Sequence, residues 1–267
     1  MFLYFYPQKN YIMNDQEILG YFESQAKSGE WDSLYDPKNT KSYPFIIRFK
    51  KSIELMKPIE GMTVLDLGCG TGILIPHVIN SKGSYMGLDS SENMLDVVKK
   101  KYPALIESNK IKLFSDDIRN FKPSQKIDVM IGLGFIEYFD DAESVIRKLY
   151  QFLADTGQLI LSFPNFNSLD YLSLRLTSPF RYLLRKISGK STHQPPRRLW
   201  NQKMAKKMFL NCGFKNIKSV NYNVNIFTYP FTKISMGFTN FWARKFEYSK
   251  LSSKDFFATG FIISGEK

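Results

Sequence analysis

Val64-Leu65-Asp66-Leu67-Gly68-Cys69-Gly70-Thr71-Gly72 is the stretch that decides the fold. Thr63 to Leu67 reads as a short apolar strand with a single carboxylate in it. It runs straight into a turn with glycine at every second position. Glycine serves where the backbone must bend sharply or let a ligand approach without a Cβ in the way. A helix is predicted over Ile73–Ile79, with Pro76 acceptable because it falls in the first turn. Strand, glycine turn and helix together form the opening of a ligand-binding βα unit. The dinucleotide fingerprint, G-x-G-x-x-G, seats a pyrophosphate on the helix N-terminus. Here the spacing is G-x-G-x-G, and Asp66 stands two residues before the first glycine. An acid at that point suits a ligand with a cationic amino group better than a pyrophosphate.

The same alternation continues outward. Strands are predicted at Tyr85–Leu88, Ile111–Phe114, Ile127–Gly132 and Gly157–Phe163, with helices at Ser91–Lys101 and Ala142–Leu153. Upstream, Asp15–Lys27 and Phe45–Met56 have helical apolar spacing, with Ile18, Leu19 and Phe22 on one face of the first. Downstream, a helix at Lys203–Asn211 ends at Gly213, and strands follow at Phe214–Asn221 and Phe256–Ser264. Strands separated by helical segments imply a parallel, doubly wound sheet.

Acids recur where the predicted strands end. Asp89 closes the second strand, where a carboxylate can accept both hydroxyls of a ribose. Asp116 and Asp117 follow the third, where one carboxylate can accept from an adenine amino group. Asp128-Val-Met-Ile-Gly-Leu-Gly-Phe-Ile-Glu-Tyr138 marks the fourth. Open α/β sheets bind ligands at the carboxyl ends of their strands.

Together these runs resemble the class I S-adenosylmethionine-dependent methyltransferase superfamily, in its small-molecule and quinone-methylase branch. Val64–Gly72 resembles the first motif, Gly87–Leu95 the second, Asp117–Phe121 the third and Asp128–Tyr138 the fourth. Gly157–Pro164 and Asn211–Ile217 are similar to the fifth strand and the later Gly-Phe. The resemblance covers residues 60–165 well and 198–222 loosely. It implies an α/β fold, a Rossmann-like doubly wound sheet of about seven strands. That sheet would be mostly parallel with an antiparallel last strand, carrying an N-terminal helical segment and a helical lid insertion. The expected divisions are a cap at 1–60, a cofactor core at 61–165, a basic lid at 166–200 and a C-terminal part of the same sheet at 201–267, with an aromatic substrate-pocket segment.

The resemblance also implies roles. Asp66 orients the methionine end of S-adenosylmethionine, which Gly68 and Gly70 face. Cys69 and Gly72 belong to the same turn. Asp89 holds the ribose, with Ser90 and Met94 beside it. Asp117 reads the adenine amino group next to the Ile118 backbone, and Asp116 is the alternative one residue away, or else a turn cap. Leu133 brings backbone near the sulfonium. Tyr21-Phe22, Trp31-Asp-Ser-Leu-Tyr35 and Arg48 resemble the segment such enzymes fold over the cofactor. Arg48 is a candidate partner of the methionine carboxylate or a solvated helix residue, and Trp31 and Tyr35 are otherwise core residues.

Composition bounds the alternatives. The chain has 267 residues, 43% of them hydrophobic, enough for a real core. It has only two cysteines, Cys69 and Cys212, and two histidines, His77 and His193. That is too few for a disulfide scaffold or a His/Cys metal cluster, so no metal is expected. No run is long and apolar enough to span a bilayer, and the opening Met1–Tyr6 makes a poor signal peptide. A cytoplasmic, reducing location is expected.

The net charge is +12, and its distribution says more than its size. Tyr171 to Phe246 contains no Asp or Glu and fifteen Lys and Arg, while the rest of the chain is slightly acidic. Such a field attracts anions. Leu169–Lys190 interleaves leucines and phenylalanines with Arg175, Arg181, Arg185, Lys186 and Lys190, the composition of a lid that lies on an anionic membrane surface. Pro179 would split it into two short helices. Phe227 to Phe246 is rich in aromatics and falls where class I enzymes build the substrate pocket.

A hydroxyl nucleophile often needs a base. His193, before the Arg-Arg-Leu-Trp200 run, is the leading candidate. Tyr138 stands where many relatives carry a histidine and is a candidate pocket residue. The expected acceptor is small or lipid-like and acidic, methylated at oxygen, with peripheral contact at the inner membrane face. The alternatives are an RNA or protein methyltransferase and a non-catalytic cofactor-binding protein. Against nucleic acid, no RNA-binding module and no Asn/Asp-Pro-Pro-Tyr/Phe tetrapeptide is found. Oligomeric state is left open.

Overall fold

The computed structural model describes residues 13–178, 195–228 and 231–267. Seven strands form one sheet in the order β3-β2-β1-β4-β5-β7-β6. They are β1 (Thr63–Leu67), β2 (Ser84–Asp89), β3 (Ile111–Ser115), β4 (Ile127–Gly132), β5 (Leu153–Pro164), β6 (Lys215–Val224) and β7 (Ala258–Glu266). The first five run parallel, and β7 pairs antiparallel with both β5 and β6. The order reverses between β1 and β4, which opens a crevice at their carboxyl ends.

Strands buried on both faces must be apolar almost throughout. β1 and β4 meet this condition, and their side chains alternate between two cores. Leu65 and Leu67 join Phe163, Phe209, Phe214 and Phe261 on one face. Val64 joins Ile47, Ile75, Val98 and Ile131 on the other. Period-two alternation places Asp66 on the Val64 face, which is why it meets Tyr85 of β2.

Helices cover both faces. After β1 come α4 (Ile75–Asn80), then α5 (Glu92–Lys101) and a short α6 (Pro103–Glu107). Pro76 lies in the first turn of α4. Ser91 caps α5 by accepting from the Met94 N–H. On the opposite face, α7 (Ala142–Phe152) packs against α9 (Gln202–Asn211). Between them, α8 (Leu169–Leu176) is capped by Ser168 and leaves Leu172 and Leu176 exposed. Residues 179–194 of the expected lid, including Pro179, lie outside the described residues, and Trp200 at its end pairs with Asn165.

At the N-terminus, α1 (Asp15–Ser28) begins with a capping box between Asn14 and Glu17. It packs on α5 and on α2 (Glu30–Ser33). The third helix, α3 (Tyr43–Leu55), lies instead on β5, β6 and β7 as part of the sheet's own helical layer. The aromatic segment before β7 holds two helices not predicted from sequence, α10 (Phe231–Ile234) and α11 (Met236–Phe246). Aromatic residues and Gly237 have low helix propensity, so no periodic signal stood out. Among the described residues, no helix is long and apolar enough to cross a membrane.

Candidate cofactor site

Four strand ends meet at one cleft of about 150 Å³. β1 supplies Gly68 and Gly70, β2 supplies Asp89, Ser90 and Ser91, and the turn after β3 supplies Asp116, Asp117 and Ile118. Leu133, Gly134, Phe135, Tyr138 and Phe139 come from the segment after β4, and Met94 from α5. The roof is α1, through Asp15, Ile18, Leu19 and Phe22, continued by Trp31 of α2. A smaller cavity adjoins it, lined by Asp66, Cys69, Thr71 and Tyr35. The two share Trp31, Gly68 and Leu133 as common walls.

The glycine turn is shaped to leave this space. Gly68 and Gly70 both have positive φ, +65° and +51°. A Cβ on Gly70 would sit 2.8 Å from the Trp31 indole nitrogen, and one on Gly68 would sit 3.2 Å from the Phe135 ring. Any side chain there would be strained and would also fill the cradle. Asp89 ties the turn to β2: its carboxylate accepts from the Gly70 N–H at 2.8 Å and the Ser91 N–H at 2.9 Å. Burial raises the Asp89 carboxyl above its usual range, and those two hydrogen bonds oppose the rise.

Asp66 is buried, and its carboxylate accepts from the Tyr85 hydroxyl at 2.8 Å. Burial pushes its pKa from the ordinary 3.8 up to about 7, although the Tyr85 bond pulls the other way. A buried carboxyl with so little compensation is suited to a cationic ligand group. The Cys69 thiol is pushed up by burial, so it is a neutral wall residue rather than a nucleophile.

On the far side, Asp117 is held by Arg119. Its carboxylate accepts from the Arg119 backbone N–H, Nε and Nη2. Burial would raise Asp117, but these bonds hold it below the usual carboxylate range. Arg119 also pairs with Asp15 at 2.8 Å, so it fastens the α1 roof to the β3 turn. Asp116 accepts from the Asp117 N–H at 2.7 Å, a turn-capping bond. Both aspartates still border the cleft.

Two expected residues border neither cavity. Gly72 packs under the turn, where a Cβ would meet Ile75 at 2.6 Å. Arg48 is buried on α3, bonds the Tyr35 hydroxyl at 3.4 Å, and lies under Gly134. Because α3 rests on the sheet, Arg48 stands behind Tyr35 and Gly134 rather than in the cleft wall itself. His193 lies outside the described residues. Glu137, not anticipated from sequence, is buried beside Tyr138, and its Oε2 has no hydrogen-bond partner among the described residues. Ile18, Leu19, Phe135 and Arg119 were also not anticipated, whereas Phe22 belongs to the segment expected to fold over the cofactor.

An acid-rimmed apolar slot can take a ribose and purine, and a buried acid beyond the glycine turn can take an ammonium. The family model described as a methyltransferase domain matches residues 65–159. A malonyl-[acyl-carrier protein] O-methyltransferase of Priestia megaterium is 24% identical over 57% of this chain and 52% of its own length. A ubiquinone biosynthesis O-methyltransferase of Dictyostelium discoideum is 25% identical over 66% of this chain and 57% of its own. The chain thus spans little more than half the length of these two relatives. The fold matches that of a magnesium protoporphyrin IX methyltransferase from Synechocystis, with a TM-score of 0.62 and 18% identity over 95% of this chain and all of that one. Residues 65–159 thus match a methyltransferase domain, and the whole chain shares the fold of that Synechocystis methyltransferase.

Trp31 is the residue most exposed to test here. It borders both cavities and contacts Phe22 and Phe45 edge-on at 5.5 and 6.3 Å. Trp31→Ala is expected to weaken cofactor binding about tenfold by unroofing both walls, read by calorimetry. Unchanged affinity would reduce Trp31 to a packing residue.

Proposed function

We propose that this chain transfers a methyl group from S-adenosylmethionine to oxygen of a small-molecule or lipid-like acceptor that carries an acidic group. The observation that carries the reading is the acid-rimmed cleft over the glycine turn, with its acid-free, cationic C-terminal neighbourhood. Bound there, the cofactor supplies a methyl already activated on a sulfonium. The chain's own task is to hold a nucleophile in line and exclude water, and positioning alone supplies up to roughly 7–11 kcal/mol in favourable cases.

In this reading Asp66 pairs the ammonium and Asp89 holds the ribose. Asp117 or Asp116 and the Ile118 backbone meet the adenine, and Leu133 lines the reacting end. Tyr138 borders the cleft, and burial raises its hydroxyl pKa further above its ordinary value, with Glu137 adding to the effect. It is therefore a neutral phenol at physiological pH, able to donate a hydrogen bond to the acceptor but not to serve as its base. That leaves His193 as the base. The relative named for ubiquinone biosynthesis supports a small-molecule acceptor, and both named O-methyltransferases support transfer to oxygen. The location proposed is the cytoplasm, with contact at the inner membrane face through the basic segment.

The test is methyl transfer from labelled cofactor to lysate fractions. Label is expected in lipid or small-molecule fractions and not in RNA or protein. His193→Ala is expected to bind cofactor normally and lose most of its turnover. Label confined to RNA would overturn the acceptor class, and full turnover in the variant would remove His193 as the base.

A further inference from the structure

The helix α11 is amphipathic in an unusual sense. Its core face consists of the small residues Thr239 and Ala243. Its large apolar residues point the other way. Phe238 and Phe241 are 51% and 52% exposed, and beside them Phe231 and Ile234 of α10 are 59% and 76% exposed. An ordinary surface helix buries its large apolar stripe and exposes its polar one. The outward residues also touch one another. Phe238 contacts Phe227 at 5.1 Å and Trp242 at 6.4 Å, and Trp242 contacts Phe241 at 5.8 Å. A contiguous exposed aromatic face marks an interaction surface.

Charge tells what kind of partner fits. Lys245 lies over the Phe241 and Trp242 rings, at 4.6 and 5.1 Å from their centroids. Its neighbour Arg244 is exposed, over the Tyr43 ring at 4.9 Å. No acid occurs anywhere from Tyr171 to Phe246. Aromatic bodies with cationic heads at their edge are the chemistry of helices lying in a bilayer interface, where rings enter the acyl boundary and cations meet phosphates.

We propose that the outer face of α10 and α11 is a docking surface for an anionic lipid bilayer. The surface is distinct from the Leu169–Lys190 stretch and lies on another segment of the chain. Its use in delivering an acceptor rests on the lipid-like acceptor proposed above, but the docking itself does not. Membrane-bound, α11 lies in the interface plane with Phe238 and Phe241 inserted and Lys245 among headgroup phosphates.

The test is flotation of the full chain with phosphatidylcholine vesicles, with and without phosphatidylglycerol. Wild type is expected to float only with the anionic vesicles, and less at high salt. Its tryptophan emission is expected to shift blue on binding, and Trp242→Phe to remove that shift. The double substitution Phe238→Ser, Phe241→Ser is expected to weaken partitioning on the order of tenfold, as is Lys245→Glu. Cofactor affinity by calorimetry is expected to match wild type in both variants, which shows that they fold. Should the double variant fail that control, the single exposed charge reversal decides the matter. Absence of wild-type flotation, or undiminished flotation in the variants, overturns the proposal. So does a concentration-dependent dimer, seen by sedimentation, that the same substitutions disperse, since the face then belongs to a second copy. Flotation without label in any lipid fraction would sink the lipid-like acceptor and leave the docking surface standing. Label in lipid without flotation would do the reverse.

Discussion

Asp89→Ala is expected to weaken cofactor binding by at least about a hundredfold while the protein stays folded. Two effects combine. The carboxylate is the natural partner of the ribose hydroxyls at the end of β2, and removing it leaves them without a charged acceptor. It also accepts from the Gly70 and Ser91 N–H groups, which fixes the glycine turn against β2. Hydrogen bonds to a charged group contribute roughly 1.5–3 kcal/mol each. The variant is therefore also expected to lose about 2 kcal/mol of stability, with water replacing part of what is lost. Asp89→Asn separates the effects, because its amide oxygen still accepts from one backbone N–H. It is expected to keep most of the stability and lose most of the affinity. Calorimetry and thermal unfolding of both variants decide the point. Wild-type affinity in Asp89→Ala would remove this residue from the cofactor site.

Cofactor affinity is expected to depend on pH through Asp66. In the free protein its carboxyl titrates near 7, held up by burial and opposed by the Tyr85 hydroxyl, with Asp89 nearby adding to the rise. An ammonium needs the carboxylate form, so binding below that value must release a proton. Affinity is full above the raised pKa and falls by up to about tenfold per pH unit below it. The ligand's own α-amino group loses its proton above roughly 7.7–8.0, which weakens binding again. The profile is a narrow bell, and Asp66→Asn is expected to remove its acidic limb and lower its peak. An acidic limb that persists in Asp66→Asn assigns it to another group.

The same shift has a stability consequence of definite sign. Asp66 is raised from 3.8 in an ordinary setting to about 7 in the fold. Between those values the native state holds a proton that the unfolded chain has lost. Stability of the free protein therefore falls as pH rises through that window, and Asp66→Asn should unfold at a higher temperature than wild type above it.

Much of the fold was legible because its signals are local. The strand Ile127–Gly132 falls where the apolar run placed it, and α5 ends at Lys101 as the predicted helix does. Errors arose where long-range pairing overrode local signs. The predicted helix runs to Leu153 and the next strand begins at Gly157, yet Leu153 pairs with Ile127 and starts β5 directly after α7. β6 continues to Val224 because β7 offers it partners through Ala258. Nothing in Phe231–Phe246 gave a clear period, and its helices exist because Thr239 and Ala243 fit against the sheet layer.

The site divides in the same way. Asp66, Gly68, Gly70 and Asp89 were found from spacing, because each sits within a residue or two of a strand end and strand ends converge in an open sheet, while Leu133 came from the resemblance. Ile18, Leu19 and Phe22 were visible as a stripe, but nothing local said what they cover. Arg48 was placed at the ligand by resemblance, and the packing of α3 on the sheet sets it behind Tyr35.

The sequence by itself determined the turn at Gly68–Gly72 and the acids at or near the ends of β1, β2 and β3, because backbone bending and strand-end chemistry depend on neighbours in the chain. Tertiary structure alone decided that Ile18 and Leu19 of α1 line the cleft, that Asp66 loses its solvent and titrates near neutrality, and that α11 turns its aromatic face outward. Those outcomes depend on which distant surface each helix meets, and burial is a property of that meeting rather than of the residue.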